Sequence, residues 1–463
     1  MKKIFIYSIL FSSLLFSGCN EDFVEKEPPL YVTEAAAFST PERTEATLLG
    51  LYGTFKSGPF MGGKTYVAFD NRGDDIKNID PNLVTLYDTY MMNVGTGYAE
   101  NENAWYYAYL TINRCNVFME SLVTYNSIEI VGEKLYNQYI AEGKFIRSLC
   151  YYYLCQLYSQ PYVLNKDAKA VPLRLTGIKE SGHSDCPRST IGDIYNQILT
   201  DLSSDIINAL PSGGNTYDAV TRASSSAAYM LKMRIYMAME NWDEAIKAGE
   251  AISGYELDDV TKLFTAPYFT KESIFSMPFA ETNTPNTQLG AVEYYNKDIC
   301  VIDYETGIMS EAAYSLESDK RIKAYTSGNY LTKFNETTKL QWLPIFRYAE
   351  TKLNLAECYV KANQAQMTKA QNCLNDVRSR SVAPENDIIN VKSLTGNDLL
   401  KAIDNEKRLE FIGEGMRGIE IIRKGETYSK GTGINTVIVS PKDNGYTWPI
   451  PESERVLNKL IND

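Results

Sequence analysis

Residues 224–253 read SSSAAYMLKMRIYMAMENWDEAIKAGEAIS. Ala228, Leu231 and Tyr236, then Asn241-Trp242, then Ala245 and Ala248 fall at helical spacing on two runs, 224–239 and 242–253, with a short break between them. Small residues let two helices approach closely while an aromatic fills the space beside them, which is the packing grammar of tetratricopeptide-type repeats. The same grammar returns in Leu353, Ala356 and Tyr359, then Asn363, then Ala370 and Leu374. The two pairs stand about 120 residues apart instead of the tandem period of roughly 34, so the chain is not an uninterrupted solenoid.

Outward from these pairs the periodic segments are also helical: 45–55, 105–123, 135–158, 191–210, 347–362, 367–380 and 397–411. The expected fold is mainly α, one integrated body over 41–463 with no low-complexity linker after residue 40. Two stretches differ in kind. Residues 57–103 hold Gly62-Gly63, Asp70-Asn71-Arg72-Gly73-Asp74-Asp75 and Gly95-Thr96-Gly97, and residues 263–344 are rich in Gly, Asn, Thr and Pro, with β-branched runs at 273–279 and 299–304. Both read as loops with a few short strands, and long loops on a rigid frame are where function concentrates.

The chain opens on Met1-Lys2-Lys3, an apolar stretch over 4–16, then Ser17-Gly18-Cys19. That is a basic n-region, a short h-region and a cleavage site, too short to span a bilayer. A Cys after small residues at that point is a lipobox, so residues 1–18 are expected to be a lipoprotein signal peptide and Cys19 the lipidated N-terminus. Asn20-Glu21-Asp22 resembles an acidic export tag, favouring the outer face of the outer membrane. Residues 19–40, with Glu25-Lys26-Glu27-Pro28-Pro29, suit an extended lipidated tether.

Charge and rare residues exclude several functions. The 463 residues carry 46 basic and 58 acidic side chains, a net charge of −12, which makes nucleic acid an unsuitable partner and leaves membrane attachment to acyl chains. A single histidine, His183, removes most zinc and Ser-His or Cys-His catalytic arrangements. The cysteines besides Cys19 are odd in number and imply no disulfide framework; Cys150 and Cys155 sit in apolar helical runs as small hydrophobes. Glu406, Glu410 and Glu414 recur every four residues near Arg408 and Arg417 and read as a structural ion-pair lattice, not as a catalytic pair. Asp70, Asp74 and Asp75 lack the spacing of a calcium loop. No catalytic residue, cofactor or metal is expected.

Ordered blocks run through nearly the whole mature chain: Ala37-Phe38-Ser39-Thr40, Leu49-Gly50-Leu51-Tyr52, Asp74-Asp75, Trp105, Ile112-Asn113-Arg114-Cys115-Asn116, then Ala141-Glu142-Gly143-Lys144-Phe145-Ile146-Arg147-Ser148. Pro187-Arg188-Ser189-Thr190, Asp201-Leu202, Asp319-Lys320-Arg321, Leu374-Asn375-Asp376-Val377-Arg378, Glu406-Lys407-Arg408-Leu409-Glu410-Phe411 and Trp448-Pro449-Ile450-Pro451 follow. This set resembles the SusD/RagB family. The pattern departs after Tyr158, where Ser159-Gln160-Pro161-Tyr162-Val163 replaces a Phe-Gly-x-Val-Pro turn. The resemblance implies a SusD-like fold and a cell-surface lipoprotein that hands oligosaccharides to a SusC-like TonB-dependent outer-membrane transporter. The RagB branch implies an alternative, a peptide-binding lipoprotein for peptide uptake.

Aromatics make up 12% of the chain, with 34 tyrosines, many in the two loop regions. Sugar rings have apolar faces and hydroxyl rims, so a glycan binder needs rigid aromatics for stacking and Asp, Asn or Gln for the rim. Tyr66 with Asp70, Asn71 and Arg72, then Tyr98, Tyr294-Tyr295-Asn296 and Gln341-Trp342 are the candidate ligand contacts. A glycoside hydrolase and a pure protein-docking scaffold stand as rival readings.

Overall fold

The structure, a computed structural model, describes residues 33–462 apart from 181, 183, 286–288, 296–298 and 434–435. The leader, Cys19, His183 and Asn296 lie outside the described residues. Among the described residues helices dominate, and the strands form five two-stranded antiparallel ladders.

At the centre runs the helix Glu133–Tyr158. From Ala141 onward almost every side chain is buried, which is what a helix apolar on all faces requires of its surroundings. Ala99–Thr124 packs along it, with Pro41–Phe55 across both and Ile191–Asp201 on another flank. The periodic run read as one helix over 191–210 is two, Ile191–Asp201 and Ser204–Ala209, because Ser203 is extended and starts a new first turn. One hydrophobic cluster extends from Phe38 to Ile461.

The helix pairs form as their spacing implies. Ser225–Ala238 packs on Trp242–Glu250, which meets Tyr348–Lys361, which in turn packs on Met367–Ser381 and Gly396–Glu410. The two pairs therefore stack on each other although the loop-rich segment intervenes in sequence. Ala245 and Ala248 are buried at the contact, and a Cβ on Gly249 would stand 2.8 Å from Leu355 Cδ2.

Two expectations are corrected. Residues 19–40 are not all tether: Glu34–Ala37 is helical, capped by the Thr33 side chain, and Phe38 is buried against Phe118 and Tyr125. The packed body thus begins before residue 41. Within the supposed loop 57–103, Lys64–Asn71 is a helix with all its residues buried, so it has no polar face to reveal a helical period. It starts where Gly63 approaches the Leu289 carbonyl so closely that a Cβ would lie 1.6 Å from it. The strand expectations hold, as Ser273–Met277 pairs with Leu343–Arg347 and Cys300–Ile302 with Ile76–Asn78.

Candidate functional site

The ladder between Ser273–Met277 and Leu343–Arg347 is buried and pairs Met277 with Leu343. Trp342 therefore stands at the mouth of a rigid strand. Three aromatic side chains gather on it: Phe269 stacks at 5.5 Å between ring centroids and 19° between planes, Tyr217 meets it edge-on at 5.5 Å and 79°, and Tyr268 leans on it at 6.5 Å. Phe269 and Tyr268 come from a tight turn in which Tyr268 N–H donates to Thr265 O at 2.8 Å and Thr265 N–H to Lys262 O at 3.3 Å. Tyr217 opens a short helix whose first turn is capped by Thr216. It is 55% exposed, whereas Trp342 is 8% exposed, so the indole is the anchor and Tyr217 the outward face.

Phe269 lines a cleft of about 340 Å³ whose other walls are Asn215, Asp258, Lys262, Thr265 and Thr270. The Asn215 and Lys262 side chains, the Tyr217 hydroxyl and the Trp342 indole N–H make no hydrogen bond or ion pair among the described residues. The arrangement combines flat apolar faces with unspent donors and acceptors at their rim. It can hold a molecule with apolar faces and a hydroxylated edge.

Most of the residues singled out from sequence lie in the interior. Tyr66 is 2% exposed and its hydroxyl donates to Pro344 O at 3.0 Å. Asp70 is buried and accepts from the Tyr295 hydroxyl at 2.6 Å and from Gly415 N–H at 2.9 Å. Burial pushes its carboxyl up to about 7, against the downward pull of those two bonds. Asn71 is buried and accepts from Asn78 Nδ2 at 2.9 Å, and Arg72 spends its guanidinium on the Gln156 and Tyr446 carbonyls. Tyr294 is buried, and Tyr98 is half-buried at the start of Ala99–Thr124. Tyr66, Asp70, Asn71, Arg72, Tyr294 and Tyr295 offer no face to solvent, so for them the expectation of ligand contact gives way to a supporting role, whereas Tyr98 keeps part of its surface exposed. Tyr66 and Tyr295 both pack on Phe334, which meets Phe264 at 5.5 Å, and Phe264 begins the segment that carries Phe269. Trp342 stands in the aromatic cluster beside the cleft with Gln341 buried next to it; its ring neighbours Tyr217, Tyr268 and Phe269 were not among the residues expected from sequence.

The acidic residues are committed elsewhere. Arg321 and Arg378 hold Glu406 at 2.7 and 3.0 Å, Arg347 and Arg380 hold Glu410 at 3.0 and 2.6 Å, and Lys333 and Arg347 hold Glu414 at 2.7 and 2.8 Å. The lattice exists, but Arg408 and Arg417 are not its cations. Those two pair with Asp75 at 2.6 Å and Asp74 at 2.5 Å. Among the described residues no His, Cys, Asp and Glu cluster has metal-binding geometry, and the described cysteines are unpaired, with Cys150 and Cys155 buried.

Comparison with known proteins matches the SusD family over residues 293–462 and a family described as starch-binding, associating with the outer membrane, over residues 22–237. A SusD-like protein from Formosa agariphila is 25% identical over 257 residues, spanning 53% of this chain but only 45% of that protein's length. The surface glycan-binding protein A of Bacteroides thetaiotaomicron, solved with laminarihexaose, is 20% identical and shares the fold, with a TM-score of 0.71 over 91% of this chain and 98% of that one. A SusD superfamily protein of known crystal structure from Bacteroides fragilis is 52% identical, with a TM-score of 0.89, and the match covers 92% of this chain and all of that one. With 52% identity to that protein over 92% of its own length, the chain belongs to the SusD/RagB family.

Proposed function

We propose that this protein is a non-catalytic cell-surface lipoprotein that captures oligosaccharides in the cleft beside Trp342 and delivers them to a SusC-like TonB-dependent transporter of the outer membrane. The observation that carries the reading is the stacked Phe269–Trp342 pair with the exposed Tyr217 ring, set against a cleft with unspent polar groups. Rigid stacked aromatics lose little entropy on binding, so apolar sugar faces gain most of their stacking energy as affinity. A relative of the same fold binds laminarihexaose, which makes glucans the first ligands to test.

Hydrolysis would need two carboxyl groups facing a bound glycan across a cleft. Glu406, Glu410 and Glu414 are instead locked in a buried lattice, which supports binding without turnover. No helix among the described residues is long and apolar enough to cross a membrane; in this reading attachment comes from lipid on Cys19.

Calorimetric titration of the chain from Asn20 onward against plant, host and microbial oligosaccharides, laminarihexaose and short peptides tests the proposal. Heat from a glycan class without release of reducing ends supports it. Binding of peptides alone replaces it with peptide capture.

A further inference from the structure

Gln341 neighbours the anchor Trp342 yet is 6% exposed, and its amide is spent on backbone from two other segments. Nε2 donates to Phe264 O at 2.8 Å and to Lys333 O, while Oε1 accepts from Glu336 N–H at 3.3 Å. Phe264 begins the turn that carries Tyr268 and Phe269. Glu336 accepts the Tyr268 hydroxyl at 3.3 Å. One side chain thus ties the strand bearing Trp342 to the turn whose Phe269 ring stacks on it, and to the loop that restrains Tyr268.

We propose that Gln341 is a positioning residue for the aromatic cleft: it sets the Phe269–Trp342 stack through the backbone without touching a ligand. Its reach to Phe264 O is the only side-chain hydrogen bond, among the described residues, between the Trp342 side of the cleft and the backbone of that turn. Gln341 also lines a small cavity of about 20 Å³ together with Phe279, Phe334, Glu336, Lys339 and Leu343. If these bonds are removed, close packing no longer dictates where the turn sits, and the stack is the first contact to loosen. The effect on affinity rests on the glycan reading above; the effect on Trp342 does not.

Gln341→Met keeps the length of the side chain and removes all three hydrogen bonds. Acrylamide quenching of Trp342 emission, isolated by subtracting the matching Trp342→Phe protein in each background, reads the stack directly and needs no sugar. The proposal expects quenching to rise in Gln341→Met and affinity for a bound glycan to fall by about tenfold, the effect of losing preorganisation at one anchor. Unchanged quenching overturns it, whatever happens to affinity. A rise in quenching while the unaltered protein binds no glycan supports the positioning role and contradicts the glycan reading. Should Gln341→Met fail to fold, Gln341→Glu keeps the acceptor and deletes both donated bonds, and the same two outcomes apply.

Discussion

Arg147 grips Asp201 with two parallel hydrogen bonds, Nε to Oδ2 at 2.9 Å and Nη2 to Oδ1 at 2.8 Å, from one helix to another 54 residues later. Both side chains are buried, and the remaining guanidinium nitrogen, Nη1, donates to Asn116 Oδ1 at 2.7 Å. Three sequence blocks that carry the family resemblance meet at this one guanidinium. Asp201→Ala leaves a buried cation without its anion and is expected to cost about 3 to 5 kcal/mol. Urea unfolding measures it; a loss under about 1 kcal/mol would mean that the pair is replaceable by solvent.

Asp70 makes a prediction about pH. Its folded-state pKa is raised from 3.8 to about 7, so the folded protein holds a proton that the unfolded chain has released. Its contribution to stability is therefore largest below about pH 4 and is lost as the pH rises through about 7. Asp70→Asn keeps an oxygen acceptor for Tyr295 and Gly415 and removes the titration. The difference in unfolding free energy between the two proteins should shift in favour of the variant from pH 4 to pH 7. A difference that stays flat across that range would show that Asp70 remains ionised.

Glu357 acts in the opposite sense. Burial alone would raise its carboxyl, but Arg423 and Lys407, at 2.8 and 2.7 Å, outweigh it and hold the group at about 2. Its stabilisation is present above about pH 4.5 and is lost as the pH falls toward 2. Glu357→Gln should be less stable than the unaltered protein at neutral pH by about 3 kcal/mol or more, and the gap should narrow on acidification below 4.5. Equal stabilities at pH 7 would contradict the assignment.

The helix pairs were legible because close packing of small residues leaves a spacing that no other element shares: Ala245, Ala248, Ala356 and Ala370 all lie in the contact they suggested. Lys64–Asn71 was not legible, since a helix buried on every side has no polar face to mark its turns. The proposed ligand face was half legible. Trp342 could be recognised as a large aromatic in a polar segment, but Tyr66 and Tyr295 looked equally eligible, and only tertiary packing separates an aromatic under a loop from one on it. Tyr217 had a usable signal in the helix-capping Thr216 just after Gly213-Gly214-Asn215. Phe269 had none, because the partner that orients it is 73 positions away.

Burial separates these two aromatic groups experimentally. Tyr295→Ala removes a fully enclosed ring and the donor to Asp70, and is expected to destabilise the fold by about 3 to 5 kcal/mol. Tyr217→Ala removes an exposed ring and should move the melting temperature little. Thermal unfolding of the two variants side by side decides whether the interior column is structural, as its burial implies.

The central claim is that glycan is held by the rings around Trp342. Its most direct measurement is calorimetric titration of the glycan found to bind into the unaltered protein and into Tyr217→Ala with Phe269→Ala, with melting temperatures recorded for both. The account predicts a fall in affinity of about tenfold or more for the double variant, about 1.4 kcal/mol or more, with the fold retained. Unchanged affinity in a folded double variant would contradict it and place the binding face elsewhere on the protein.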